Sequence, residues 1–437
     1  MADTTFVKGF RTNMAYFPES AYGTFAVTDS DAYKVGGKVK SLNWTARHNI
    51  IKTASIGDGR NYKQQLYGTY DANGSINWEV SDLSFLRFAA GDIAKFGTGV
   101  SEANHFAIVD AELTGIDSDA TSLAALDADD VTDFSKVRIR PFSILAYDRE
   151  NNGTANYNES VDLIKGAMLT DANISGSIGT PLMATTNFVA QKIAFKRYLA
   201  PADVPDFTSD VAITTDTGNN SYALSPLKSY NKAQEAPLMF YEGEVSYTDA
   251  ADATDNVLAL VQSFSMGLNN NYRTYRAIGD KFIKMPTTGM RAFTTTLNLI
   301  FNLPDASSDG TPATSETSIL EIIKNYLGHK GTDTFTTATE LSPTTNSTPA
   351  ETKTIKLKFT GTTLAGDAKG AEINLYNATP EGFGHPVQLE NGLVEIPVTF
   401  SVIGYPYKMT GDGSYTGWDG AGTASTDLKP IFKFWTT

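Results

Sequence analysis

The chain has 437 residues, 41% of them hydrophobic, and carries 49 acidic against 35 basic side chains for a net charge of −14. At roughly 100–200 residues per domain this predicts a globular protein of two or three domains, and the anionic balance, with no Lys/Arg cluster, excludes a nucleic-acid binder that works by charge attraction. The absence of cysteine excludes disulfides, thiolate metal sites and cysteine nucleophiles together.

No apolar run approaches the about 18–20 residues of a membrane helix, and MADTTFVKGFRTNMAYF at the N-terminus lacks the apolar core of a signal peptide. A soluble protein not exported by that route is expected. The polar residues are mostly Thr, Asn, Asp, Ser and Gly, which lean towards strands and turns.

Residues 1–30 read as an N-terminal arm and 31–204 as a first unit. VKSLNWTARHNIIKTASIGD (39–58) predicts an outgoing strand and a polar arm, and GRNYKQQLYGTYDANGSINWEV brings the chain back. From Ser75 to Val80 the residues Ile76, Trp78 and Val80 share one face, the period of a half-buried strand. SDLSFLRFAAGD (81–92) predicts a helix capped by Ser81, with Leu83, Leu86 and Ala90 on one stripe and Gly91 closing it. IDSDATSLAALDADDVTD (116–133) is a solvated loop or an acidic interaction face. FSILAYD (142–148) is strand-like.

DRENNGTANYNE (148–159) nearly fits a calcium loop, with Asp148, Glu150, Asn152 and Glu159 at ligand places and Gly153 at the turn. Glu150 is longer than the Asp or Asn usual at its place, and helices do not flank the segment. An Asn-Gly turn between two strands explains the same residues. GAMLTDANISGSIGTPLMATTNFVA (166–190) reads as a closing hairpin.

A Pro- and Asp-containing connection (205–250) leads to a second unit, 251–408. VQSFSMGLNNNYRTYRAIGD (261–280) matches the first arm segment at six of twenty positions, Val39/Val261, Ser41/Ser263, Asn49/Asn271, Ile56/Ile278, Gly57/Gly279 and Asp58/Asp280. The returning strand puts Phe293, Thr295, Leu297 and Leu299 on one face. SETSILEIIKNYLGH (315–329) predicts a helix between loops at 305–317 and 334–353, TIKLKFTG (354–361) a strand, and 373–402 a closing hairpin. The order hairpin, helix, strand, closing hairpin therefore recurs, the mark of an internal duplication. The Gly-rich tail (409–437) is expected to dock through its last residues, IFKFWTT.

Catalytic signatures are missing. His48, His105, His329 and His385 are widely separated, none at metal-ligand spacing with another, and there is no P-loop, no GxGxxG after a strand and no GxSxG. No enzyme, metal or cofactor is expected. The arms mix aromatic and basic residues: Arg60, Tyr62 and Lys63 in one, Tyr272, Arg273, Tyr275 and Arg276 in the other. Such residues are enriched at protein interfaces, which makes these seven the candidate inter-subunit contacts.

The two polar arms, GSINWEV, and the closing GLVEIPVTFSV resemble the major tail tube proteins of long-tailed phages, over most of residues 30–405. The resemblance implies a mainly β chain with a few short helices: two tandem tail-tube-like β-sandwich modules, each with a long hairpin and a flanking helix. Such modules join sheet to sheet into rings that stack as a hollow tube. A chain with two would form trimeric rings of pseudo-sixfold symmetry, its arms (47–70 and 269–292) reaching the adjacent subunit or ring. It further implies a virion protein made in the host cytoplasm, with tape-measure and tail-terminator proteins as partners. DNA would pass through without specific binding, and no membrane would be involved. From another class, a two-domain β-sandwich surface or carbohydrate-binding module using calcium at 148–159 would be a monomer with clustered tryptophans. Trp44, Trp78, Trp418 and Trp435 are dispersed.

Overall fold

The structure, a computed structural model, describes residues 13–19, 22–23, 35–54, 62–95, 105–109, 141–151, 157–198, 215–216, 221–222, 236–249, 261–287, 289–300, 353–362, 368–383, 395–402 and 431–436. The strands of the first half are β1 (Asn13–Pro18), β2 (Gly37–Thr53), β3 (Gln64–Val80), β4 (Asp92–Lys95), β5 (His105–Val109), β6 (Phe142–Asn151), β7 (Tyr157–Ser177), β8 (Met183–Ala190) and β9 (Lys192–Tyr198). Two short strands follow, β10 (Thr215–Asp216) and β11 (Ser221–Tyr222). The second half has β12 (Gly243–Asp249), β13 (Val261–Asn269), β14 (Arg273–Tyr275), β15 (Met285–Thr287), β16 (Ala292–Ile300), β17 (Lys353–Thr362), β18 (Ala368–Phe383), β19 (Glu395–Val402) and β20 (Phe432–Thr436).

The fold is mainly β. Sixteen strands join one antiparallel sheet ordered β2-β3-β8-β7-β13-β16-β19-β18-β20-β5-β4, with β1, β6, β9, β12 and β17 attached beside that path.

The pairing of the first half returns in the second. β2-β3-β8-β7-β6-β1 is matched by β13-β16-β19-β18-β17-β12, each neighbour antiparallel to the next. Registers agree down to the irregularities. A bulge between Val39 and Ser41 in β2 recurs between Val261 and Ser263 in β13. One between Leu169 and Asp171 in β7 recurs between Pro380 and Gly382 in β18, and one between Phe142 and Ile144 recurs between Lys353 and Ile355. Each bulge places an extra residue and bends its strand, so the two halves bend at three matching places; the further shift between His48 and Ile50 lies in the longer first ribbon. The last strand obeys the same plan: β20 lies on β18 as β9 lies on β7.

Alternation decides which face is inside. Ile76, Trp78 and Val80 are buried as predicted, and so are Phe293, Thr295, Leu297 and Leu299. Over them packs the strand group of each half that starts with β1 or β12. Tyr16 of β1 and Tyr247 of β12 sit at equivalent register places, opposite Ile144 and Ile355, and both are fully buried.

The helix predicted over 81–92 is shorter than expected, a 3-10 turn at Ser84–Leu86 followed by a single turn, α1 (Arg87–Ala90). It is the only α-helix among the described residues. Ser81 does not cap it. Its N–H donates to Gly36 carbonyl (2.8 Å), still part of the β3 exit, and Asp82 accepts instead from the Ser84 N–H (2.8 Å) and hydroxyl (2.5 Å). Gly91 closes the turn as expected, donating to Arg87 carbonyl (3.1 Å). The segment is buried throughout rather than along one stripe, because Phe85 meets Tyr16, Trp78, Phe88 and Phe142 at ring separations of 5.1–5.6 Å.

Within 148–159 the described residues are two paired strand ends. Asp148, Arg149, Glu150 and Asn151 pair with Ser160, Glu159, Asn158 and Tyr157; Asn152 and Gly153, where the turn or the ion loop is expected, lie outside the described residues. The segments at 116–133, 305–317, 315–329 and 334–353 lie outside the described residues. The C-terminal stretch docks as expected, β20 pairing with β18 on one side and β5 on the other.

Candidate assembly edges and arms

The halves meet strand to strand. β13 pairs with the last third of β7, from Ser263 opposite Ser177 to Asn269 opposite Asp171. This junction spends one edge from each half. The equivalent edges at the two ends of the repeat remain: β2 pairs with β3 alone, and β18 beyond Ala378 pairs only with β19 among the described residues. An open edge presents unpaired N–H and C=O groups and invites another strand.

The first arm is the far end of the β2–β3 ribbon. β8 pairs with β3 only from Ala72 onward, so the ribbon from Thr53 and Gln64 back to Arg47 and Asp71 has no flanking strand. At about 3.3 Å per residue it projects some ~20 Å. Ile50, Ile51, Leu66 and Tyr67 are exposed on it, as is Tyr62, whose ring lies 5.7 Å from the Lys52 ammonium. Lys63 is exposed, its N–H donating to Thr53 carbonyl (3.2 Å). Arg60 and the SIGD turn lie outside the described residues.

The second arm bends over. Its elbow is the run Asn269–Asn270–Asn271. Asn271 has φ of 46°, the only non-glycine with positive φ among the described residues, a conformation that Asn tolerates better than most residues. Asn270 is buried. Its side-chain amide donates to the carbonyls of Ala89 (3.0 Å) and Leu169 (3.2 Å), its carbonyl oxygen Oδ1 accepts from Arg291 Nε (3.2 Å), and its backbone N–H donates to Thr170 (2.9 Å).

Beyond the elbow β14 and β15 form a small hairpin. In the AIGD turn Gly279 takes φ of 86°, the left-handed region where glycine is unstrained. Asp280 accepts from the Phe282 N–H (2.9 Å) and pairs with Lys284 (2.9 Å); first the backbone bond, then the lysine, hold its carboxyl below the ordinary value.

The bent arm lands on the first half of its own chain. Arg276 pairs with Asp71 and also donates to Tyr70 carbonyl (3.4 Å), and the Tyr70 N–H donates to Lys281 carbonyl (2.9 Å). Phe282 packs edge-on to Tyr70 at 5.3 Å, with the Lys192 ammonium 4.4 Å from its centroid. The predicted contact residues thus divide. Tyr62 and Lys63 stand on the projecting arm, Arg273 and Tyr275 are exposed on the bent one, and Arg276 is engaged within the chain. Tyr272 is mostly covered; its hydroxyl is buried without a partner among the described residues, and burial pushes its pKa up. Asn270, Phe282 and Tyr70 were missed. The Asn triplet was the available signal for the first, and nothing local marked the other two.

Among the described residues no group of three His, Asp or Glu side chains could hold a metal, and no helix is long and apolar enough to cross a membrane. No family model matches the chain, and no curated protein is significantly similar to it.

Proposed function

We propose that this protein is the structural unit of a phage tail tube: two tandem tube-type β-sandwich modules per chain, three chains per ring, and rings stacked around a channel for DNA. One observation carries this reading. The junction between halves consumes the edges of β13 and β7, while the equivalent edges, β2 and the end of β18, have no further partner among the described residues and lie at opposite ends of the repeat. A chain that already joins one repeat to the next, and is open at both ends in the same way, propagates until it closes on itself. Closure leaves neither of these two edges exposed. The resemblance of the arm and closing-strand motifs to tail tube proteins supplies the ring size, the virion location and the tape-measure and terminator partners.

The repeat also sets the intermolecular register. Asn269 faces Asp171 inside the chain; their equivalents are Arg47 of one copy and Gly382 of the next. A Cβ built on Gly382 meets nothing within 4 Å and Arg47 is exposed, so both tolerate cysteine in a chain that has none. Facing antiparallel residues are about 4.5–5.5 Å apart at Cα, within disulfide reach. The double variant R47C/G382C should give covalent dimers and trimers on oxidation, each single variant no closed trimer, and negative-stain images should show rings or tubes with a hole. A monodisperse monomer at high concentration would defeat the proposal.

A further inference from the structure

The face of the joined sheet that turns away from the core is built of hydroxyls and amides. One rung crosses Asn77, Thr185, Asn173, Gly267, Thr294 and Ser401, and the next crosses Glu79, Met183, Ser175, Ser265, Thr296 and Thr399. These groups bond to one another: Asn173 Nδ2 donates to Ser265 Oγ (3.1 Å), and the hydroxyls of Thr296 and Thr399 are 3.3 Å apart. Charged residues make up 19% of the chain and outward positions normally carry more than the average share, yet of these twelve positions only Glu79 is charged.

The carboxylates on and beside these rungs are engaged. Glu79 pairs with Lys40 (2.5 Å), Asp71 with Arg276, and Asp171 accepts from Asn187 Nδ2 (2.6 Å) and the Thr170 hydroxyl (2.9 Å).

Resting on the tube reading above, we propose that this face is the channel wall, and that it is non-adhesive to duplex DNA because it is neutral rather than because it is acidic. The opposite face is already covered by the β1- and β12-led strand groups. Among the described residues no ladder joins those groups to each other, which suits them to the larger radius and the continuous sheet to the smaller circumference. A basic wall would release phosphate counterions and hold DNA in a salt-dependent way; an acidic wall would oppose its entry by repulsion. Ser, Thr and Asn do neither. They keep a hydration layer and lack the ionic groups that bind phosphate strongly.

Two measurements on assembled protein test this. Single variants T185C and T296C in the cysteine-free chain should react with a small maleimide in both free and assembled protein, and with a maleimide on a bulky polymer in the free chain only. Equal bulky labelling of well-formed tubes would remove the wall assignment and leave the tube intact; absence of any ring would remove both. Wild-type tubes should show no salt-dependent retention of a fluorescent duplex oligonucleotide, whereas T185K or T296K tubes should retain it with an affinity that falls steeply as salt rises. Salt-dependent retention by wild-type tubes would overturn the neutral-wall claim.

Discussion

Asn270 shows how a single polar side chain fixes the direction of an arm. Two carbonyls, those of Ala89 and Leu169, receive its amide hydrogens in a buried setting, and an unpaired buried acceptor costs roughly 1–3 kcal/mol. Asn270→Ala should lower stability by about 3 kcal/mol in denaturant titration, with the loss spread over both arm and sheet because α1, β7 and β13 all meet there. Glu19 is the other buried polar hub. Its carboxylate accepts from the Ser143 hydroxyl, from Gly166 N–H (2.9 Å) and from Gly23 N–H (2.7 Å). Burial nevertheless raises its pKa, outweighing those bonds and the nearby Lys165. A carboxyl whose folded pKa is raised binds its proton more tightly folded than unfolded. Its contribution is therefore complete below the ordinary glutamate value and is lost as pH rises through the folded pKa. Unfolding free energy of the wild type minus that of Glu19→Gln should accordingly fall across that window as pH rises. A difference that stays flat would remove Glu19 from the pH response.

At the scale of elements, two arms that look alike in sequence have taken different positions. The bent arm is held by an ion pair and an aromatic contact of unequal weight. Arg276 and Asp71 are both partly exposed, so Arg276→Ala should cost less than about 1 kcal/mol. Phe282 is wedged between Tyr70 and Lys192, and Phe282→Ala should cost about 1–2 kcal/mol from lost apolar burial. Proteolysis near Gly279 should become much faster in the Phe282 variant and change little in the Arg276 one. The alternation of Ile76, Trp78 and Val80, the helix stop at Gly91 and the two closing hairpins were legible because strand period and turn chemistry are local. The repeat was legible through the matching Val-x-Ser and IGD motifs of the two arms. The bend was not, because it depends on Tyr70 and Lys192 lying within reach once the sheet has formed. Nor was the role of Asp82, since Ser81 and Asp82 are equally good cap residues on sequence alone and only the fold shows that it is Asp82 whose carboxylate meets the Ser84 N–H.

For the whole molecule, two strand ladders tie the halves among the described residues, beside the contact of the bent arm. β13 lies on β7, and β20 continues the second half's sheet into β5 and β4 of the first. Sequence could not give the second tie: β20 and β5 lie at opposite ends of the chain, and edge pairing is decided by which edges the fold brings together. β20 also buries Phe432 and Phe434, with Ile431 just before it. Burying each such side chain contributes about 1.5–3 kcal/mol, so the strand is held by more than its ladder. Two ties of this kind make the halves unfold as one unit, because opening either exposes core of both. The unassembled full-length chain should give a single calorimetric transition whose enthalpy agrees with its van't Hoff value. Removing 431–437 cuts one tie and bares an edge on both β18 and β5. The shortened chain should melt lower and in two resolved steps, with the second half first because it has lost the cover on β18. Two separate transitions in the intact chain would mean that the β20 bridge does not couple the halves.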